Sequence, residues 1–282
     1  MPAISPYIID PIWEHFEALL PERNVVDHPL GCHNPRIPDK VVFEKLVQVL
    51  VFGCAYERIA DQTCSATTLR RRRDEWIASG VMEKLQQIVL DAYDWMIGLD
   101  LCDFCVDGCI QSRLPVEARR RAEKPRRSGQ AGPHKRSVVV DANGIPIGAI
   151  AAPANRPDSP LLEATLDTME IVGELPERMS VHLDRGYGVF GGYPRAATES
   201  WPYPCDLLKK GKPAPLQATK RWVVERTNSW TNAHKKLVWC TEREDRVIDF
   251  WFAFSGVVIT VGRLIRRGWT HYRWEGRPCR RP

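Results

Sequence analysis

Apolar residues in the first hundred positions recur at helical spacing. Trp13, Phe16 and Leu20 follow Asp10-Pro11, the order of an N-cap and a first-turn proline, and Pro21 stops the run. Residues 22–38 are rich in Pro, Gly, His and Asn and predict a loop. Asp39 then predicts a cap for a helix from Val41 to Phe52, apolar on all sides and therefore buried, with Gly53 closing it. A short helix over Tyr56 to Gln62, a turn at Thr63-Cys64-Ser65 and a helix over Ala66 to Ser79, closed by Gly80, spell helix, turn, helix. Met82, Leu85, Val89, Tyr93 and Met96 extend a long helix from Val81 to Leu99.

Past Leu99 the period shortens. Leu101 to Val106 is an apolar run ending at Asp107-Gly108. Ser137 to Val140 and Ile145 to Ala151 are β-rich and flank Asp141-Ala142-Asn143-Gly144, whose Asn-Gly chemistry predicts a hairpin. Ser159 predicts a helix cap ahead of Leu162, Leu166 and Met169. Met179 to Leu183 is another strand, ending at Asp184-Arg185-Gly186-Tyr187. A helix-like stretch, a strand at Cys205 to Leu208 and long helices over Leu216 to Val238 and Arg246 to Arg267 complete the chain. Three strands, a helix, a strand, a helix, a strand and then helices is the order of an α/β, ribonuclease-H-like core. The expected organisation is a helical helix-turn-helix domain over 1–99, a catalytic domain over 100–268 with a basic arm at 113–136, and a basic aromatic tail over 269–282.

Composition narrows the function classes. The apolar runs fall short of the roughly 18 to 20 residues of a membrane span, and residues 1–10 lack the pattern of an export signal, so a cytoplasmic protein is expected. Nine cysteines, an odd number in 282 residues, suit reduced thiols better than a disulfide framework. The net charge of +5 is unevenly placed. Nine Lys and Arg lie between Arg113 and Arg136 against Glu117 and Glu123, and seven Arg lie between Arg263 and Pro282 against one acid. In the second block Trp269, Tyr272 and Trp274 are interleaved, which suits phosphate contact and base stacking. Thr67, Thr68 and Arg70, Arg71, Arg72 and Arg73 open the second helix of the pair, where a recognition helix faces a major groove. Helical geometry spreads those four arginines around most of a turn, so one or two are expected on phosphate. Arg119, Arg120, Arg121, Arg126, Arg127 and Lys135 from the arm, with Arg221, Lys235 and Lys236 beside the penultimate helix, complete the expected DNA contacts.

Two strands end in an aspartate at or near a glycine, Asp107 and Asp184, and adjacent strand ends converge on one crevice. Glu225 lies on the penultimate helix, off the stripe of Val223, Trp230 and Leu237 expected to be buried. Three carboxylates and a substrate phosphate can hold the pair of hard cations that activates one oxygen and stabilises another. Taken singly, each Asp-Gly is a turn signal, and Glu225 is also placed to pair with Arg221 four residues back. Asp103 shares the face of Asp107 four residues earlier on the strand; Asp141 and Asp158 read as structural. Cys102, Cys105 and Cys109 lack the second ligand pair of a zinc site and read as buried thiols. No Gly-rich phosphate loop is present.

With these residues in view, the chain resembles the DDE transposases of the insertion-sequence family five group over nearly its whole length. The resemblance rests on Leu19-Leu20-Pro21, Gly53-Cys54-Ala55-Tyr56, Val140 to Pro146, Ala154 to Ser159, Asp184-Arg185-Gly186-Tyr187 and Arg221 to Thr227. It implies a ribonuclease-H-like domain with Asp107, Asp184 and Glu225 as catalytic metal ligands for two Mg²⁺ or Mn²⁺ ions. It also implies double-stranded DNA as partner, both terminal inverted repeats and target, with cleavage and strand transfer by a homodimer on DNA. Departures from the family pattern include Asn232 where related families carry Lys, Ala218 for Tyr, Pro157 for His and Cys109 for Ser. A DNA-binding regulator without catalysis and a metal nuclease without joining are the readings from other classes.

Overall fold

The computed structural model describes residues 3–22, 36–110, 134–183, 205–207 and 222–271. Helix α1 (Pro6–Ala18) starts a turn earlier than the sequence suggests, because Ser5-Pro6 repeats the cap-and-proline signal and Ile8 and Ile9 both bond back to the Ser5 carbonyl. Pro11 therefore lies inside the helix. Helix α2 (Asp39–Phe52) is buried as expected and ends at Gly53 in the left-handed conformation. Its first turn includes Asp39, with Pro38 as the cap. The helix pair is lopsided: α3 is a single turn (Tyr56–Ile59), whereas α4 (Ala66–Ala78) runs 13 residues behind a Ser65 cap that accepts from the Thr68 amide. Helix α5 covers Val81–Ile97.

A five-stranded sheet follows in the order β3-β2-β1-β4-β5. Strands β1 (Asp103–Ile110), β2 (His134–Val140) and β3 (Pro146–Pro153) are antiparallel neighbours, while β4 (Ser180–Leu183) and β5 (Cys205–Leu207) continue parallel to β1. The β2–β3 turn is built around Asp141, which is fully buried and accepts from the amides of Asn143, Ile145 and Asp100. Gly144 supplies the positive φ of +80° that the turn requires. Between β3 and β4 lie a 3-10 turn (Ser159–Leu161), α6 (Leu162–Asp167) and a second 3-10 segment (Thr168–Val172).

The long helix expected over 216–238 differs in form. Residues 216–221 lie outside the described set; α7 spans Trp222–Ala233, and His234 breaks the helix before the single turn α8 (Lys235–Val238). Helix α9 (Asp245–His271) closes the fold.

Alternation gives the sheet two buried faces. Phe104, Val106, Val139, Val181 and Leu183 pack with Leu90 and Tyr93 of α5 and with Leu162 and Leu166 of α6. Cys105, Val138 and Val140 pack on Val223 and Val224 of α7. A third core joins α1, α2, α4 and α5 to α9 through Phe16, Phe43, Leu46, Trp76 and Leu85 on one side and Trp251, Phe254 and Val257 on the other. The hydrophobic core therefore crosses residue 99, and the helices before it close around the last helix of the chain. Over Asp245–Thr270, α9 is long and apolar enough to cross a membrane by length and composition, contrary to the expectation that no stretch reaches that length. Its window is 72% buried, mostly against the protein's own helices and β3.

Candidate active site

Strand β1 does not stop at Asp107. Pairing with β2 carries it on to Ile110, so Asp107 sits within the strand opposite Val138, and on the parallel neighbour β4 the last described residue, Leu183, lies opposite Val106. Asp107 shares the Cys105 face, towards α7. On α7 the row Glu225, Asn228, Ser229 and Asn232 turns the same way, since residues three, four and seven apart share a helix face. Together with Asp107, Gly108, Cys109 and Ile110 it lines an open crevice of about 500 Å³. Asp107 and Glu225 are thus brought together. Asp184 is the residue after Leu183 in sequence and lies outside the described residues, as does Arg221.

The crevice floor is polar and tied together. Asn228 Nδ2 donates to Asp107 Oδ2 at 3.3 Å. Arg136, fully buried on β2, donates through Nη2 to Asn232 Oδ1 (2.7 Å), to the Asn228 carbonyl (3.3 Å) and to Cys109 Sγ (3.6 Å). Burial depresses the Arg136 pKa, and attraction to Cys109 and Asp107 opposes that. Gly108 admits the Asp158 carboxylate, which occupies the space where a Cβ would stand. Asp158 is held in turn by Lys135 Nζ at 3.0 Å. Sequence reasoning missed Arg136 and Asn228 as site residues and met Asn232 only as a departure from the family pattern; a charged side chain two positions from Val138 in a β-rich run was the available signal for Arg136.

The donor set suits a hard cation: two carboxylates beside side-chain amide and hydroxyl oxygens. Among the described residues no group of three His, Cys, Asp or Glu is close enough to hold a metal ion, so the third ligand would have to come from elsewhere in the chain. Asp103, the other acid on that strand face, is engaged by His182 Nε2 at 2.7 Å. The cysteine run expected to be buried thiols is divided: Cys105 is buried, Cys109 half-buried and Cys102 exposed, a correction for Cys102.

The expected DNA contacts divide by burial. Thr67 and Arg71 are exposed, and Thr68 and Arg70 are half-buried, with Arg70 paired to Glu57 at 2.5 Å and packed over Tyr56. Arg72 and Arg73 point inward. Arg72 is bonded to Asp39, and Arg73 to Asp74, Tyr56 and Glu242. Lys236 is equally buried and pairs with Glu242 at 2.6 Å, and Lys135 is committed to Asp158 and the Arg156 carbonyl. These four cations neutralise internal acids and do not face solvent, a correction to the expectation that they reach DNA. Lys235 is exposed. Arg119, Arg120, Arg121, Arg126 and Arg127 lie outside the described residues, as does the tail from 272. The buried stripe of α7 is also corrected: Val223, Val224, Thr227, Asn228 and Thr231 fill it, while Trp230 is half-buried between Arg226 and Arg263 and Leu237 belongs to α8.

No curated protein matches the chain. Among solved structures it overlaps the Mos1 mariner paired-end complex with Mn at 10% identity and a TM-score of 0.31, over 94% of this chain and 88% of that one. The Mos1 strand transfer complex overlaps at 10% identity and a TM-score of 0.31, over 96% and 89%. Residues 8–86, from α1 into α5, match the family model described as "Putative transposase of IS4/5 family", in agreement with the resemblance carried by the motifs.

Proposed function

We propose that the chain is a DDE-type transposase that binds the terminal inverted repeats of an insertion sequence and catalyses metal-dependent DNA cleavage and strand transfer. The observation that carries this reading is the shared crevice of Asp107 and Glu225, one from a central strand and one from a helix 118 positions later in the sequence numbering. The register adds to it: Val106 pairs with Leu183, so the residues that follow the two paired positions are Asp107 and Asp184. Three antiparallel strands continued by two parallel ones, with Glu225 on the helix after the last, support a ribonuclease-H-like core. The family match over residues 8–86 supports the transposase reading from the other end of the chain.

In this reading Asp107, Asp184 and Glu225 hold Mg²⁺ or Mn²⁺. The bound ions supply charge neutralisation at the scissile phosphate and a more acidic attacking hydroxyl. Asn228 fixes the Asp107 carboxylate, and Asn232 and Ser229 line the wall along which a phosphate would lie. Thr67, Thr68, Arg70 and Arg71 at the start of α4 supply duplex contacts, with Arg119, Arg120, Arg121, Arg126, Arg127, Arg221 and Lys235 adding positive charge. A homodimer on DNA would bring two element ends together.

The test uses labelled terminal-repeat DNA, with the divalent ion present or withheld, on the wild-type chain and Glu225→Gln. Wild type should cleave and join only with metal. Loss of a ligand worth several kcal/mol of transition-state stabilisation should cut product formation in the variant at least about a hundredfold, while end binding persists. Product at wild-type level in the variant would remove Glu225 from the ligand set. Hydrolysis without joining would favour a nuclease, and binding without cleavage by wild type a regulator.

A further inference from the structure

The flank of α7 next to the Glu225 row carries a different surface. Trp222, Arg226 and Trp230 are spaced four apart, and their side chains stack: the Arg226 guanidinium lies 4.4 Å from the Trp222 ring centre and 4.9 Å from that of Trp230. Arg263 of α9 covers Trp230 at 4.8 Å. Arg226 and Arg267 converge on the hairpin turn, donating to the Asn143 carbonyl (2.7 Å) and to Asn143 Oδ1 (2.8 Å). Arg226, Arg263 and Arg267 form no ion pair with a carboxylate among the described residues. Arg226 and Arg263 feel the charge of the buried Asp141, a single carboxylate beside three guanidiniums.

Like charges gathered this way repel. Burial, and then Arg263 and Arg267, hold the Arg226 pKa below its ordinary value. The guanidiniums are held by stacking on indole faces and by neutral oxygens, neither of which cancels their charge. The stack is open at its outer end: Trp222 is 41% exposed, and on α9 Arg266 and Trp269 are exposed, Trp269 to 53%. Uncancelled cations alternating with aromatic faces suit a strand of nucleic acid, whose phosphates meet guanidinium edges and whose unpaired bases stack on an indole. A paired base inside a duplex offers no free face for that.

We infer that the Trp222–Arg226–Trp230–Arg263 stack, extended by Arg266, is a binding surface for a single-stranded DNA segment running beside the Asp107–Glu225 crevice. The choice of DNA over other polyanions rests on the transposase reading.

The experiment measures binding without divalent ion, by fluorescence anisotropy, of a labelled duplex with a single-stranded tail and of the same duplex blunt-ended. Full-length wild type is compared with Trp222→Ala and Arg266→Gln, both at exposed positions, with thermal unfolding run alongside to establish that each variant is folded. Wild type should prefer the tailed duplex. Loss of one stacked base should weaken Trp222→Ala on the tailed duplex by about tenfold and leave the blunt duplex nearly unaffected. Arg266→Gln should lower the salt slope by about one phosphate contact. Wild-type affinity and salt slope in both variants, with wild type itself binding DNA, would make the stack an internal clamp between α7 and α9 and overturn this inference alone. Equal weakening on both duplexes would overturn the single-strand assignment, and wild type binding neither duplex would sink the transposase reading as well.

Discussion

Replacing Arg136 with methionine separates positioning from stability. The guanidinium is fully buried, and only Nη2 has hydrogen-bond partners, the nearest at 2.7 Å on Asn232; Nε and Nη1 have none among the described residues. A hydrogen bond to a charged group contributes about 1.5 to 3 kcal/mol. Against that stands a desolvation penalty of several kcal/mol for a buried ion, even after relaxation. Methionine matches the length of the stem and removes both terms, leaving Asn232 Oδ1 half-buried within reach of water. The two terms offset, so the free energy of urea unfolding should change by no more than about 1 kcal/mol, with the balance favouring the variant. Activity should not follow stability. Arg136 fixes Asn232, bonds to the Asn228 carbonyl and attracts Asp107, so its loss should cut metal-dependent cleavage by about ten- to a hundredfold, the usual effect of removing a partner that orients ligands. The assay is a divalent-ion titration of cleavage beside urea melts, with Arg136→Lys as the conservative comparison. Destabilisation above about 3 kcal/mol would show that the hydrogen bonds outweigh desolvation and would refute the reasoning. Full activity in a stable Met variant would refute the positioning role.

Two further predictions concern the same region. Gly108→Ala drives a methyl group into the Asp158 carboxylate and should cost about 1 to 3 kcal/mol as an overpacked contact; the cost should shrink in an Asp158→Ala background, and additivity in the double-mutant cycle would disprove the clash. Burial pushes His234, bonded to Ser255 Oγ at 2.7 Å, down to about 4 from its ordinary 6.5. Its folded pKa is the lower one, so the unfolded chain binds the proton first, and its contribution is whole above pH 6.5 and lost as pH falls towards 4, about 3 kcal/mol in all. His234→Gln should flatten that part of the stability profile. Asp249, pushed up to about 6 by burial and Asp245, acts in the opposite sense between its ordinary 3.8 and 6, so the measurement is cleanest in an Asp249→Asn background; an unchanged slope there would rule the assignment out.

Most elements were legible because each is specified by near neighbours. Periodicity placed α2, α4 and α5 within a few residues, and Asn143-Gly144 marked the hairpin because only a few residue types accept its backbone. The errors arise where a distant partner decides. The strand of Asp107 was cut short at a local Asp-Gly signal, whereas pairing with β2 extends it to Ile110. Local sequence predicts an unbroken helix through Glu225 because nothing near His234 marks a stop; the His234 ring turns to Ser255 on α9. Helical geometry allows only one or two of Arg70 to Arg73 to reach a phosphate, but which ones turn away is set by Asp39 and Glu242, 33 and 169 positions distant, which draw Arg72 and Arg73 inward. Of the crevice residues, Asp107 and Glu225 are expected from their place on the elements, while Asn228 and Arg136 are not, since an amide and a buried cation carry no spacing of their own.

Those inward arginines also bear on how the front of the chain is joined to the crevice. Glu242 follows α8, and on it meet Lys236 of α8, Arg73 of α4 and the Tyr56 hydroxyl of α3. Burial opposes ionisation of Glu242, but Lys236 and Arg73 outweigh it and hold the carboxyl below its ordinary range. Tyr56 is pushed the other way, chiefly by burial and then by Glu242, so it remains a neutral donor. Breaking one member would strand a buried charge, a cost of about 3 to 5 kcal/mol, far more than an exposed pair such as Arg246–Glu244 contributes. The helix pair is therefore locked to α8, which continues directly from the helix of Glu225.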